Sequence, residues 1–261
     1  MADQFLSGII GGGGLYPPSS IQNGKCTGTT SNATASIDVG STRTSAVTSS
    51  TLTEVLNISG SGVVTFMAIA RSSGVDASTS KIRVVVDGND AYIIDTPWGQ
   101  EPTEELINWI NSQGFLIKGS VVTHFHEDAS SGIPLLNKSN IKTYATRQTN
   151  TLLSQKNEEQ SSYEISKNTF ELAKGTIEIF YPGKGHTEDN VVVWLPKNKI
   201  LFGGCFVKSI HSKSLGNIQD ASIDVWPASI QKVINQYPNI ELVVPGHGKV
   251  GDINLLKHTA K

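Results

Sequence analysis

Cysteine is almost absent from this chain. Cys26 and Cys205 are the only two in 261 residues, and they stand far apart in unlike surroundings, which excludes a framework stapled by disulfides. No apolar run approaches the roughly 18 residues that a membrane span requires. The opening stretch from Met1 to Pro18 also lacks the basic start and unbroken apolar core of a secretory signal, so the chain as written is expected to be soluble and unexported. An excess of one charge is missing too. Lys and Arg number 21 against 23 Asp and Glu, and the basic residues are scattered, which argues against a nucleic-acid partner. What remains, 38% hydrophobic residues in a chain of this length, is enough for one large domain or two modest ones.

Two compositions share the chain. Residues 1–88 are rich in Ser, Thr and Gly and carry no helical pattern. Short β-branched stretches at Leu52 to Ile58, Val63 to Ile69 and Ile82 to Val86, parted by Gly and Ser, mark an all-β segment. From Asn89 to Lys261 strands alternate with helices, and an α/β domain is expected. Ala91 to Thr96 reads as a strand, and Thr103 to Ser112 as a helix with Leu106, Ile107 and Ile110 on one face. Lys118 to Thr123 reads as a buried strand, Arg147 to Gln155 as a helix and Lys156 to Ser166 as a polar loop. Strands are expected at Ile177 to Tyr181, Val191 to Leu195, Ile200 to Phe202 and Leu242 to Val244. Pro227 suits a first helical turn, and Ile230, Val233, Ile234 and Tyr237 recur at helical spacing until Pro238 stops them.

The chemistry is concentrated at strand ends. Thr123-His124-Phe125-His126-Glu127-Asp128 follows an apolar strand. In an extended segment two imidazoles two residues apart project to one side, and a carboxylate two further on reaches a neighbouring ion. Alone, such a string could be an exposed polar turn. His186 in Pro182-Gly183-Lys184-Gly185-His186-Thr187 and His247 in Val244-Pro245-Gly246-His247-Gly248 each place a histidine beside glycine after a strand. Cys205 follows Gly203-Gly204 after a third strand. Four histidines, one cysteine and one aspartate from separate strand ends are the donor set of a two-metal hydrolytic centre.

With these motifs in place, the chain from Asn89 onward closely resembles the class B (metallo) β-lactamases, subclass 1, the imipenemase-like group. The resemblance implies an αββα sandwich and two Zn²⁺ per chain, one held by His124, His126 and His186, the other by Asp128, Cys205 and His247. Related thioesterases and nucleases carry a histidine after the motif aspartate and a bridging aspartate in place of the cysteine. Here Ala129 and Cys205 stand there, which favours the lactamase branch. Asp95-Thr96-Pro97-Trp98, Lys208 and Asn217 also match. The resemblance assigns Lys208 to the substrate carboxylate and Asn217 to the lactam carbonyl. Without it, Lys208 would read as a solvated surface charge and Asn217 as a turn residue. His211 and His258 match no ligand position and are expected at the surface, and Glu127 is expected to face solvent or support the centre.

The implied activity is opening of the β-lactam amide by hydroxide generated between two zinc ions, with Asp128 orienting the nucleophile. The implied substrates are penicillins, cephalosporins and carbapenems, hence antibiotic resistance, by a periplasmic monomer. The family pattern breaks at both ends. Its first strands are replaced by residues 1–88, of which Ser59 to Gly88 resembles β modules of phage virion proteins, and its closing helix, expected from near Ile253, is short. Two alternatives follow: a structural or virion-type β module fused to an inactive lactamase remnant, or a related metallohydrolase acting on another ester or amide.

Overall fold

A computed structural model describes residues 89–261 throughout and, before them, the backbone of six strands. These are β1 (Gln4–Ile10), β2 (Ile21–Gln22), β3 (Lys25–Cys26), β4 (Thr34–Val39), β5 (Gly62–Met67) and β6 (Lys81–Asp87). There follow β7 (Asp90–Ile94), α1 (Gln100–Ser112), β8 (Leu116–Val121), α2 (Glu127–Ser130), α3 (Ile133–Lys138), β9 (Thr143–Thr146) and α4 (Arg147–Gln155). The second half contains β10 (Tyr163–Ile165), β11 (Thr169–Ala173), β12 (Ile177–Phe180), β13 (Val192–Leu195), β14 (Ile200–Gly204), α5 (Trp226–Gln236), β15 (Leu242–Pro245) and α6 (Asn254–Thr259). The Leu52 to Ile58 stretch lies outside the described residues. So does the likeness of Ser59 to Gly88 to virion modules, apart from the backbones of β5 and β6.

The first sheet runs β10-β9-β8-β7-β6-β5-β1-β4 and the second β11-β12-β13-β14-β15. Strands β7 to β10 are parallel to their neighbours, whereas β6 folds back antiparallel on β7, from Asp87 opposite Asp90 to Arg83 opposite Ile94. Strand β5 continues antiparallel on β6. The second sheet is antiparallel except for its last pair, β14 with β15. That parallel pair brings the ends of both strands to the same edge, where Cys205 and His247 follow.

Period-two alternation decides which side chains line which layer. Ile177, Ile179, Val193, Leu195, Ile200, Phe202 and Val244 point inward from the second sheet and meet Ile94 and Val121 of the first. The alternate residues Val192, Trp194, Leu201 and Val243 point outward under Trp226, Ile230 and Val233 of α5 and Leu255 and Leu256 of α6. On the far side, Val122, Phe125, Ile133, Ala145 and Leu153 form the seam between the first sheet and helices α3 and α4. The layers are therefore helix, sheet, sheet, helix, the expected αββα sandwich. Each fully buried Leu, Ile or Phe contributes about 1.5–3 kcal/mol relative to exposure.

Helix α1 buries Leu106, Ile107 and Ile110 as their spacing predicts, and α4 keeps its expected limits, with Thr146 Oγ1 accepting the Thr149 backbone N–H at its start. Other expectations need correction. The strand expected at Lys118 to Thr123 begins at Leu116 and stops at Val121, because the Thr123 N–H is taken by the Asp95 carboxylate instead of the ladder. The loop expected at Lys156 to Ser166 ends in β10, a short edge strand parallel to β9. Strands β9 and β11 and the short helices α2 and α3 are too brief for periodicity to reveal. Among the described residues no helix is long and apolar enough to cross a membrane.

Candidate metal centre

Four chain segments meet above the sandwich. The turn after β8 carries His124 and His126, and α2 begins at once, so Asp128 sits on its first turn rather than on an extended strand. Its carboxylate Oδ1 lies 3.4 Å from Nε2 of His124, in the turn before the helix. The loop after β12 supplies His186, the end of β14 supplies Cys205, and the end of β15 supplies His247. His124, His186 and Cys205 are buried. His126, Asp128 and His247 are half-buried and line a groove of about 650 Å³ that His186 and Cys205 also reach. Cys205 is a free thiol, whereas the side chain of Cys26 lies outside the described residues.

Asp128, Cys205 and His247 form a nearly equilateral triangle. Cys205 Sγ is 3.2 Å from Asp128 Oδ2 and 3.2 Å from His247 Nε2, and His247 Nε2 is 3.2 Å from the same carboxylate oxygen. Tetrahedral zinc with bonds of about 2.0–2.3 Å separates neighbouring donors by about 3.3–3.8 Å, so these atoms need move only a few tenths of an ångström to grip one ion. The three imidazoles of His124, His126 and His186 lie edge to face with centroids 4.9 to 5.2 Å apart, and His126 Nδ1 lies 3.2 Å from His186 Nε2. Donor atoms fall within 4.8 Å of one another in three overlapping groups: His124 with His186 and Cys205, His124 with His126 and Asp128, and Asp128 with Cys205 and His247. The structure thus brings all six sequence-expected donors into one cluster.

Neighbours decide which nitrogen each ring presents. His124 Nδ1 lies 3.1 Å from Thr123 Oγ1, which in turn donates to Asp95 Oδ2 at 3.0 Å. His124 Nε2 is buried and aimed into the cluster, 3.4 Å from Asp128 Oδ1. His126 is the reverse. Its Nε2 is 2.9 Å from Asp220 Oδ2, leaving Nδ1 for the cluster. Outer carboxylates that fix ring orientation in this way are a regular feature of metal-binding histidines. Asp220 is the residue sequence reading missed, lying 94 positions from its partner in an exposed loop.

The charges fit a site built for a cation. Burial would raise the Asp128 carboxyl, but hydrogen bonds from His124 and His247 hold it well below the usual carboxylate range. Burial would lower His247, yet its charge interactions and hydrogen bonds with Cys205 and Asp128 push it up to about 10. His124 is held above its ordinary value by the same two partners, against burial. Positive charge on these rings is thus favoured beside the Asp128 carboxylate, as a bound cation would be. His186 is kept neutral by burial, reinforced by the charges of His124 and Lys208, and a neutral imidazole is the ligating form.

Two glycines make the approach feasible. Gly204 precedes the thiol at φ +54, where a Cβ would stand 2.8 Å from Thr123 Oγ1. At Gly246 a Cβ would meet the Cys205 backbone nitrogen at 2.7 Å and its Sγ at 2.8 Å. Of the other expected residues, Lys208 is half-buried on the groove wall with its Nζ 5.4 Å from the Trp226 ring centroid. Asn217 also lines the groove, next to Gly216, at which a Cβ would lie 4.0 Å from Lys208 Nζ, and its Oδ1 accepts the Gln219 N–H at 3.0 Å. That bond is the expected turn role, and it leaves the amide N–H₂ as a donor. Trp98 and Glu127 also line the groove, and Glu127 is exposed. His211 is exposed as expected. His258 is not simply a surface residue: it is half-buried and bonded to the Ser212 carbonyl.

A paired-sheet sandwich whose loops gather histidines, an aspartate and a cysteine at one edge defines a metal-dependent hydrolase. The sequence matches the Metallo-beta-lactamase superfamily over residues 80–247, and the chain belongs to that family. It is 43% identical over 198 residues to a metallo-beta-lactamase type 2 of Pseudomonas aeruginosa, covering 76% of this chain and 79% of the relative. Among solved structures it is similar to VMB-1, at 56% identity and a TM-score of 0.74 over 76% of this chain and 90% of that one. The DIM-1 metallo-beta-lactamase is 49% identical with a TM-score of 0.72, over 75% and 91% of the two chains. The family match begins just ahead of β6, so it takes in the hairpin that β6 forms with β7.

Proposed function

We propose that this protein inactivates β-lactam antibiotics by hydrolysing the lactam amide with two zinc ions. His124, His126 and His186 would hold one, and Asp128, Cys205 and His247 the other. The observation that carries this reading is the 3.2 Å triangle of carboxylate, thiol and imidazole set directly against the three-histidine cluster. Thiolate and imidazole donors favour zinc over magnesium or manganese. When bound, the zinc pair supplies Lewis acidity that brings the ionisation of a water to near neutral pH, about 7.

The protein's own groups do the rest. Asp128, with one oxygen toward His124 and the other toward Cys205 and His247, accepts a hydrogen bond from the attacking water and orients it. The Asn217 amide donates to the lactam carbonyl oxygen as negative charge develops there. Lys208 binds the carboxylate shared by penicillins, cephalosporins and carbapenems through a charge-assisted hydrogen bond. Its half-buried position raises the strength of that contact by excluding water. A complete donor set supports a working centre over an inactive remnant. Strand β6, which pairs with β7, lies within the family match, and β5 extends the first sheet beyond it. The compartment is taken to be the periplasm, as the family implies.

The test uses the purified chain with added Zn²⁺, following nitrocefin and a carbapenem by absorbance, with metal analysis. Turnover that disappears on chelation and in Cys205→Ser, with about two zinc ions per chain, is expected. A soluble chain that holds zinc and turns over another ester or amide, but no β-lactam, would overturn the substrate assignment. Failure to hold zinc would overturn the whole reading.

A further inference from the structure

The wall of the groove that carries Lys208 and Ser212 is a turn without regular secondary structure, closed by the Ser212 N–H donating to the Ser209 carbonyl at 2.9 Å. Such a turn has no ladder to hold it, and its geometry depends on what is bonded to its two ends. Both ends are bonded to α6. The Lys208 N–H donates to Thr259 Oγ1 at 2.9 Å, and Thr259 is itself anchored by donating to the Leu255 carbonyl at 2.8 Å. At the other end, His258 Nε2 lies 3.0 Å from the Ser212 carbonyl oxygen. A carbonyl can only accept, so Nε2 carries the proton and donates. Between them, Ser209 Oγ accepts the Lys249 N–H at 3.2 Å, on the loop that carries His247. Leu255 and Leu256 seat α6 in the core under β15, so the helix is a fixed base.

We infer that His258 is a positioning residue for substrate binding: with Thr259 it clamps the turn 208–212 to α6 and so presents the Lys208 ammonium to the substrate carboxylate. His258 never touches substrate. It acts at a distance by removing the freedom of the turn to swing Lys208 out of the groove, the role that supporting hydrogen bonds play in any preorganised site. The inference rests on the proposed role of Lys208, and the experiment separates the two.

His258→Leu removes the donor and keeps bulk, whereas His258→Gln keeps an N–H that can reach the same carbonyl. With the zinc-loaded protein, KM for nitrocefin is expected to rise about three- to tenfold in His258→Leu, with kcat little changed. KM for the corresponding cephalosporin methyl ester should not move, and His258→Gln should restore the parent value. In the zinc-free protein, amide hydrogen exchange at 208–212 should quicken in His258→Leu and not in His258→Gln, a readout independent of turnover. An unchanged nitrocefin KM in His258→Leu, an equal shift for acid and ester, or a His258→Gln variant as poor as His258→Leu would each overturn the clamp while leaving Lys208 in place. Lys208→Met is the control for the underlying reading. If it raises KM for the acid alone, the carboxylate anchor stands and the His258 results decide the clamp. If it leaves KM unchanged, the anchor falls and the clamp falls with it.

Discussion

His126 is held between two partners: its Nε2 lies 2.9 Å from the Asp220 carboxylate and its Nδ1 lies 3.2 Å from His186 Nε2. His124 uses the opposite assignment, with Nδ1 tied to Thr123 and Nε2 facing the cluster. Two histidines two residues apart therefore offer different ring nitrogens to one site, and each choice is made by a group outside it.

Removing the outer carboxylate should show this. Asp220→Ala is expected to weaken metal binding about 10- to 100-fold, measured by competition with a chromophoric chelator, while Asp220→Asn, which keeps an acceptor oxygen, should lose less. Equal affinity in Asp220→Ala and the parent would mean that the ring is oriented by packing against Phe125 instead.

Asp95 gives a pH dependence with a definite sign. Burial raises its carboxyl to about 7, against the bonds from Thr123 and the charge of His124, which lower it. The folded state of the metal-free protein thus binds a proton that the unfolded chain releases near the ordinary carboxylate value of 3.8. Its contribution to stability is fully present below 3.8 and is lost as pH rises to about 7. In Asp95→Asn that slope should vanish. Chemical denaturation of both proteins in chelator across this range checks it, and parallel curves would count against the assignment.

Gly246→Ala places a methyl 2.7 Å from the Cys205 nitrogen and 2.8 Å from its sulfur. The backbone atom cannot yield as a side-chain tip can, so a loss of about 1–3 kcal/mol is expected, together with loss of metal from the Asp128, Cys205 and His247 side. Thermal denaturation and metal analysis of the same sample would reveal either effect, and a parent-like zinc content would show that the strand ends can part without cost to the site.

Metal should also stabilise the fold, because its donors come from β8, α2, β12, β14 and β15 at once. At free zinc a hundredfold above Kd the gain is about 2.7 kcal/mol, or roughly 5–10 °C in Tm for a domain of this size. A thermal shift that rises with zinc concentration and disappears on chelation is expected. No shift would mean that zinc does not bind the folded chain in preference to the unfolded one.

Much of this was legible in the chain itself. The apolar strands stand out because buried strands of a two-sheet core are continuous or alternating runs, and Ile177 to Phe180, Val192 to Leu195 and Leu242 to Val244 are both short and unambiguous. The donors were legible for a related reason. Histidine or cysteine after a strand and next to glycine is a local pattern that His186, Cys205 and His247 share, and His124, His126 and Asp128 stand out as one short string after an apolar strand. Helix α5 announced itself through Pro227 and its apolar spacing.

What only the tertiary structure decided are relations between residues with no local signature. The Asp220 bond to His126, the Asp95 bond to Thr123 and the His258 bond to Ser212 join segments 94, 28 and 46 positions apart, and each pairs a common polar residue with an ordinary partner. The sequence by itself determined the donor types, their places at strand ends and the layers beneath them, because periodicity and glycine act over a few residues. The folded chain alone determined which nitrogen each imidazole turns inward and which carboxylates stand behind it, because hydrogen-bond geometry exists only once distant loops have been brought together.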